Sequence, residues 1–335
     1  MSLRAETEAR AALAAIETEE ASLSDKIEML MEMAMGMQTR PKTPDDIQQA
    51  IRLYEKALEL CPAELFLLRG RLHARLATAL QALPAGDLGP LKEAQHHLGL
   101  ARDILNQHGT EEEMAEIEMN LGVVLQSLSG AGAAPITTAI AAYQKALRMF
   151  DAVRFPKEYA ILQNNLATAY LSIPFVDERA KMREALAVQA FQDGLKVVNI
   201  IDHPTEYAML QNNLGNALQY VSSSHSVENC LRAVDAYEES LKVRTRASTP
   251  AEYANTISNY ANCLRNLPDD VECPERGNRA NLSKALQFYR EATEIFTQFG
   301  EMQKVAIVSE MIAEIEGDLG QEHGNEAQTA VVGLQ

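Results

Sequence analysis

Twelve residues, PKEYAILQNNLA at 156–167, return as PTEYAMLQNNLG at 204–215 and more loosely as PAEYANTISNYA at 250–261. No other feature restricts the fold as much. A recurring string is one supersecondary unit that cannot bury its apolar face alone and has to stack on its neighbours. Each copy opens on a proline, tolerated at the first helical position because the N–H it lacks would be unpaired there anyway. Each also carries a glutamate two residues on, beside the positive end of the helix. In the first copy Tyr159, Ala160, Leu162, Leu166 and Ala169 then fall at the three, four and seven spacing that lines one helix face. The string is a helix start, and the chain is a stack of such helices.

A second motif marks the partner helix of each unit: Ala50-x3-Tyr54, Ala94-x3-Leu98, Ala139-x3-Tyr143, Ala187-x3-Phe191, Ala233-x3-Tyr237 and Ala285-x3-Tyr289. The small residue lets a neighbouring helix approach, and the larger one a turn later fills the space between helices. Facing it, the leading helices carry Leu76-Ala77, Leu121-Gly122, Leu166-Ala167, Leu214-Gly215 and Tyr260-Ala261, again a large residue beside a small one. From the filling residue to the next of these large residues the count is 22 and then 23 four times. From the large residue to the following alanine it varies from 18 to 25. Insertions therefore collect on one edge, where loops tolerate them. The longest, PDDVECPERGNRAN at 268–281, is read as slack.

Helix starts agree with this register. Thr110-x-x-Glu113 and Thr249-x-x-Glu252 have capping-box spacing. Apolar residues make up 47% of the chain with only 5% aromatic, dominated by helix-forming Ala, Leu and Met, so an all-α protein is expected. Residues 1–23 read as a capping or frayed helix and 24–300 as a single repeat array. Its units fall at 24–63, 64–109, 110–155, 156–203, 204–249 and 250–300. Residues 301–319 read as a C-terminal capping helix and 320–335 as a disordered tail. Met29, Met31, Met33, Met35 and Met37 alternate along the first unit and read as pliable core filler rather than a copper or partner surface.

Forty-seven acids against thirty bases give a net charge of −17, which disfavours a phosphate-tracking nucleic-acid binder and draws basic partners. No apolar run approaches the ~20 residues that span a bilayer, and the acidic N-terminus is unlike a secretory signal, so a cytoplasmic protein is expected. Cys61, Cys230, Cys263 and Cys273 lack metal-site spacing and read as reduced thiols, with Cys273 the one expected at the surface. The seven histidines fall into no ligand spacing, and no phosphate loop, nucleophile elbow or HExxH is present. Neither catalysis nor a metal or cofactor is expected.

Leu166-Ala167-x2-Tyr170, Ala187-x3-Phe191 and Pro204 together resemble the tetratricopeptide repeat. The period of 44 to 52 residues and the string NNLA at 164–167 are similar to the longer repeats of the kinesin light chain, which bind cargo peptides. The resemblance spans about residues 24–319 and implies a right-handed α-solenoid of about six helix hairpins with terminal capping helices. It also implies that leading helices line a concave groove, entered by the residue before each signature leucine. In this chain that residue is Arg75, Asn120, Asn165, Asn213 or Asn259.

Four asparagines in register would form a ladder whose amides pair with the backbone of an extended peptide, or else with each other across the stack. Asn216 and Asn262 extend the ladder, and Ile161 and Met209 add apolar contacts. Asn164 and Asn212, about 100° around the helix, point elsewhere. Arg71 and Arg75 could grip a carboxylate, but Glu116 stands where a further base would be needed, so pairing with nearby glutamates is expected. The functional expectation is a non-catalytic scaffold or assembly chaperone holding an extended segment of a partner protein. The alternatives are a self-associating structural repeat and a peptide-sensing regulator.

Overall fold

The computed structural model describes residues 7, 21–39, 41, 44–83, 87–174, 178–221 and 225–332, with side chains to residue 320. Among the described residues the chain is all-α, without strands, and its helices pair as consecutive hairpins. Packing divides it into two compact units, Met1–Arg154 and Phe155–Gln335. A single array was expected over 24–300. The division falls between the third and fourth repeats, after the shortest trailing helix, which ends at Ala146 after 11 residues.

Unit 1 holds α1 (Leu23–Thr39), α2 (Pro44–Leu60), α3 (Phe66–Gln81), α4 (Gly89–His108), α5 (Glu111–Gly130) and α6 (Ile136–Ala146). They pack as the hairpins α1/α2, α3/α4 and α5/α6, with the leading helices α1, α3 and α5 side by side. Unit 2 holds α7 (Pro156–Leu171), α8 (Arg179–Leu195), α9 (Pro204–Gln219), α10 (Ser226–Leu241), α11 (Pro250–Leu264), α12 (Arg279–Gln298) and α13 (Met302–Val332). Here α7, α9 and α11 lead, and α13 packs on α12. Pro156, Pro204 and Pro250 each open a leading helix, as their N–H-free first position allows.

Small and large residues interlock as their spacing implies. All six alanines of the trailing helices are fully buried, and so are Tyr54, Leu98, Tyr143, Phe191 and Tyr237, with Tyr289 at 1%. A Cβ on Gly122 would collide with the Tyr143 ring, and one on Gly215 would lie 2.8 Å from the Tyr237 ring, so glycine there sets how closely the helices of a hairpin meet. Each buried tyrosine of the trailing helices donates its hydroxyl to an amide of the leading helix: Tyr54 to Gln38 at 3.0 Å, Tyr143 to Gln126 at 2.8 Å, Tyr237 to Gln219 at 3.1 Å, and Tyr289 to Asn262. A phenol can be buried at this depth only if its O–H finds such a partner. The first unit obeys the same rule through Ala34. Fully buried, Ala34 stands four residues before Gln38, as Gly122 does before Gln126 and Gly215 before Gln219.

Several expectations are corrected. The alternating methionines are not core: Met33 is exposed, Met29, Met31, Met35 and Met37 are half-buried, and Ile27, Leu30 and Ala34 face inward instead. The Thr110 capping box forms in both directions. That of Thr249 does not, because its hydroxyl turns back to accept from the Thr245 N–H at 3.3 Å. The 268–281 insertion is not slack. The Asp269 carboxylate accepts the N–H groups of Ala280 and Asn281 at 2.8 Å each, and Asn281 donates to the Leu267 and Pro268 carbonyls. Gly277, at φ +82°, makes the left-handed turn that brings the loop back.

The last helix runs to Val332, past Gly320, where an unstructured tail was expected. Most of the expected N-terminal capping segment, 1–6 and 8–20, lies outside the described residues. No helix among the described residues is long and apolar enough to cross a membrane.

Candidate functional site

In unit 1, three successive leading helices bring Arg71, Arg75 and Asn120 around one cavity of about 260 Å³. α1 supplies Met31 and Met35, α3 supplies Arg71, Ala74, Arg75 and Thr78, and α5 supplies Glu113, Glu116, Ile117 and Asn120. The two arginines differ in how tightly they are held. Arg71 Nε donates to Glu113 Oε1 at 2.6 Å, while Glu113 Oε2 accepts the Thr110 N–H at 2.9 Å, so one carboxylate caps α5 and fixes Arg71. Burial alone would raise the Glu113 carboxyl, but the Thr110 N–H and the Arg71 guanidinium hold it below the usual range.

Arg75 Nη1 stands 3.8 Å from Glu116 Oε1, an ion pair without a hydrogen bond, and both side chains are more than 40% exposed. A pair of this kind contributes little stability and exchanges easily for another partner. The expected pairing of both arginines with glutamates is therefore present, tight at Arg71 and loose at Arg75. Among the described residues Asn120 has no hydrogen-bond partner, and both its amide donors and its carbonyl remain available in the cavity. Met31 and Met35 give the opposite wall a thioether surface that adapts to varied shapes.

Unit 2 treats its asparagines differently. Asn164 Nδ2 donates to Asn165 Oδ1 at 3.2 Å and Asn213 Nδ2 to Asn164 Oδ1 at 2.7 Å. Asn212 Nδ2 donates to Asn213 Oδ1 at 2.9 Å, and Asn259 Nδ2 reaches Asn212 Oδ1 at 3.5 Å. The ladder is thus a chain of amide bonds from α7 through α9 to α11. Of the two expected uses of Asn165, Asn213 and Asn259, a foreign strand or each other across the stack, the second is present: they are bonded within the protein through Asn164 and Asn212, which are buried at 7% exposure each. The physical reason is that the direction 100° from the ladder faces the neighbouring leading helix, where an unpaired amide would be costly.

Asn262 is also engaged, accepting the Tyr289 hydroxyl, and Asn216 Oδ1 lies 3.5 Å from the Tyr237 hydroxyl that Gln219 accepts. Asn213 and Asn216 line a cavity of about 290 Å³ with Thr168, Arg183 and the exposed Tyr220. There Arg183 Nη1 donates to the Leu171 and Ile173 carbonyls and closes the end of α7. Ile161 and Met209, one turn before Asn165 and Asn213, are half-buried and line neither cavity. Among the described residues no group of three or more His, Cys, Asp or Glu side chains is placed to hold a metal ion.

No protein-family model matches the sequence, and no curated protein matches it. Among solved structures the chain is similar to a Rap protein complexed with Competence and Sporulation Factor, at 13% identity over 88% of this chain and 76% of that one, with a TM-score of 0.45. It is also similar to the apo form of the quorum sensor NprR from B. thuringiensis, at 13% identity over 93% of this chain and 87% of that one, with a TM-score of 0.42.

Proposed function

We propose that this protein is a non-catalytic interaction scaffold or assembly chaperone of the long-period tetratricopeptide type, and that it holds an extended segment of a partner protein against α1, α3 and α5. One observation carries the reading. The unit 1 cavity joins a free amide at Asn120 and a loosely held guanidinium at Arg75 to the apolar wall of Met31 and Met35. Backbone N–H and C=O groups of a bound strand find donors and acceptors in the amide and the guanidinium, and its side chains find the thioethers. The amide chain of unit 2 then serves to brace its leading helices rather than to bind. A net charge of −17 favours a basic segment and a cytoplasmic setting fits the reduced thiols, with no enzymatic step required.

The test is selection of peptides from a displayed random library with the full chain, followed by titration of the selected sequences. Arg75→Ala with Asn120→Ala is expected to weaken binding about tenfold or more while changing stability by less than about 0.5 kcal/mol. Failure of the chain to select any peptide, or affinity untouched by the double substitution, would end this reading.

A further inference from the structure

Two of the four cysteines meet in unit 2. Cys230 near the start of α10 and Cys263 at the end of α11 are 6% and 0% exposed, on helices that pack directly on one another. The Cys263 thiol donates to the Cys230 carbonyl oxygen at 3.2 Å. The neighbouring Cys263 thiol favours the thiolate at Cys230 against the opposing effect of burial, while its nearness to Cys230 and its own burial hold the proton on Cys263. The pair lies beside the stacked rings of Tyr237 and Tyr260, whose centroids are 5.9 Å apart. Cys61 is in the other unit and Cys273 is in the 268–281 insertion.

We propose that Cys230 and Cys263 form a reversible dithiol–disulfide pair, oxidised by a peroxide, that staples the trailing helix of one repeat to the leading helix of the next. The Cys230 thiolate attacks one peroxide oxygen, the O–O bond breaks, and the departing oxygen leaves as hydroxide and takes up a proton to become water. Cys230 is then a sulfenic acid. The Cys263 sulfur attacks the sulfenic sulfur, the S–S bond forms, and the hydroxyl leaves with the Cys263 proton as a second water. Two electrons have passed from the two sulfurs to the peroxide, and a dithiol reductant returns them by exchange. Peroxide reaches these thiols through local opening at the end of α11, where the 268–281 insertion begins. The bridge joins residues 33 apart, which restricts the unfolded chain and stabilises unit 2.

The experiment treats the folded full chain with hydrogen peroxide, blocks free thiols with an alkylating agent in denaturant, and maps peptides with and without dithiothreitol. The expected result is a peptide pair joining residues 230 and 263 that dithiothreitol separates, together with a melting temperature raised by roughly 5 °C. A variant with Cys61→Ser and Cys273→Ser, which leaves the buried pair untouched, is expected to give the same bridge and the same rise. Cys263→Ser is expected to lose both. Recovery of Cys230 and Cys263 as alkylated thiols, after peroxide has consumed Cys273 in the natural chain or after the same treatment of the two-serine variant, would overturn the proposal.

Discussion

The ring of Tyr237 lies so close to Gly215 that a Cβ added to the glycine would sit 2.8 Å from it. The Tyr143 ring stands still closer to Gly122, and in both hairpins the tyrosine hydroxyl is anchored to the amide one turn beyond the glycine. The ring therefore cannot retreat without breaking its hydrogen bond. Gly122→Ala and Gly215→Ala gain about 1 kcal/mol of helix propensity, but overpacking costs about 1–3 kcal/mol. Each is expected to destabilise the protein, by up to about 2 kcal/mol in urea denaturation. Gly36→Ala, on α1 with nothing within 4 Å, has only the propensity gain and is expected to stabilise by about 0.5–1 kcal/mol. Glycine substitutions that behaved alike at all three positions would contradict the interlocking.

Asn164 joins Asn165 on its own helix to Asn213 on the next, and it is 7% exposed. Asn164→Ala leaves the half-buried Asn213 amide without its acceptor, an expected loss of about 1–2 kcal/mol. Asn165→Ala removes only an end of the chain and is expected to cost less than about 1 kcal/mol. A double-mutant cycle between Asn164 and Asn213 reads the bond directly. A coupling energy indistinguishable from zero would mean that the amides do not brace α7 to α9.

Much of this was readable in the residues alone, because the interlocking depends on local spacing. Ala187-x3-Phe191 and Leu214-Gly215 state the size of each side chain at each turn, and size decides how closely helices approach. The first repeat shows where that reading stops. Its notch is Met33-Ala34, and a methionine-alanine pair inside a methionine run carries no signature, although Gln38 one turn later receives the Tyr54 hydroxyl. The asparagines show a second limit. Sequence spacing gives the angle between Asn164 and Asn165 but not what stands in either direction. The partner of Asn164 comes from a residue 49 positions away, placed there by the stacking of α7 on α9. Likewise Arg71 and Glu113 meet across 42 residues, and only the packed helices bring that pair and Asn120 to one cavity.

Asp269 organises the longest insertion by accepting two N–H groups from the first turn of α12. Those groups have no carbonyl partner within their own helix, so the carboxylate serves as its cap from within the loop. Asp269→Ala is expected to cost about 1–2 kcal/mol, whereas Asp269→Asn keeps an acceptor and is expected to recover part of it. Amide exchange at Ala280 and Asn281 reports the change locally. Unaltered exchange in Asp269→Ala would show that the insertion is held by other contacts.

His73 and His97 link α3 to α4 through a 2.8 Å contact between their Nδ1 atoms, with the rings stacked at 5.0 Å. One ring nitrogen must donate and the other accept, so the contact cannot hold two protonated imidazoles. His73 is 6% exposed, and burial, reinforced by His97, Arg69 and His96, pushes it down to about 4. His97 is lowered by burial too, although Glu93 opposes the shift. The unfolded chain binds a proton at His73 near the ordinary value of 6.5, so between that pH and about 4 the unfolded state binds more protons than the folded one. The stability due to the neutral pair is therefore complete above pH 6.5 and is lost as pH falls toward 4, a decline of roughly 3 kcal/mol. Replacing both residues by glutamine keeps a donor facing an acceptor but removes the titration. The measurement is the difference in urea stability between natural chain and variant at several pH values, which cancels the carboxylates titrating in the same range. A difference that stayed constant from pH 7.5 to 4 would mean that the two imidazoles accept protons without disturbing the hairpin.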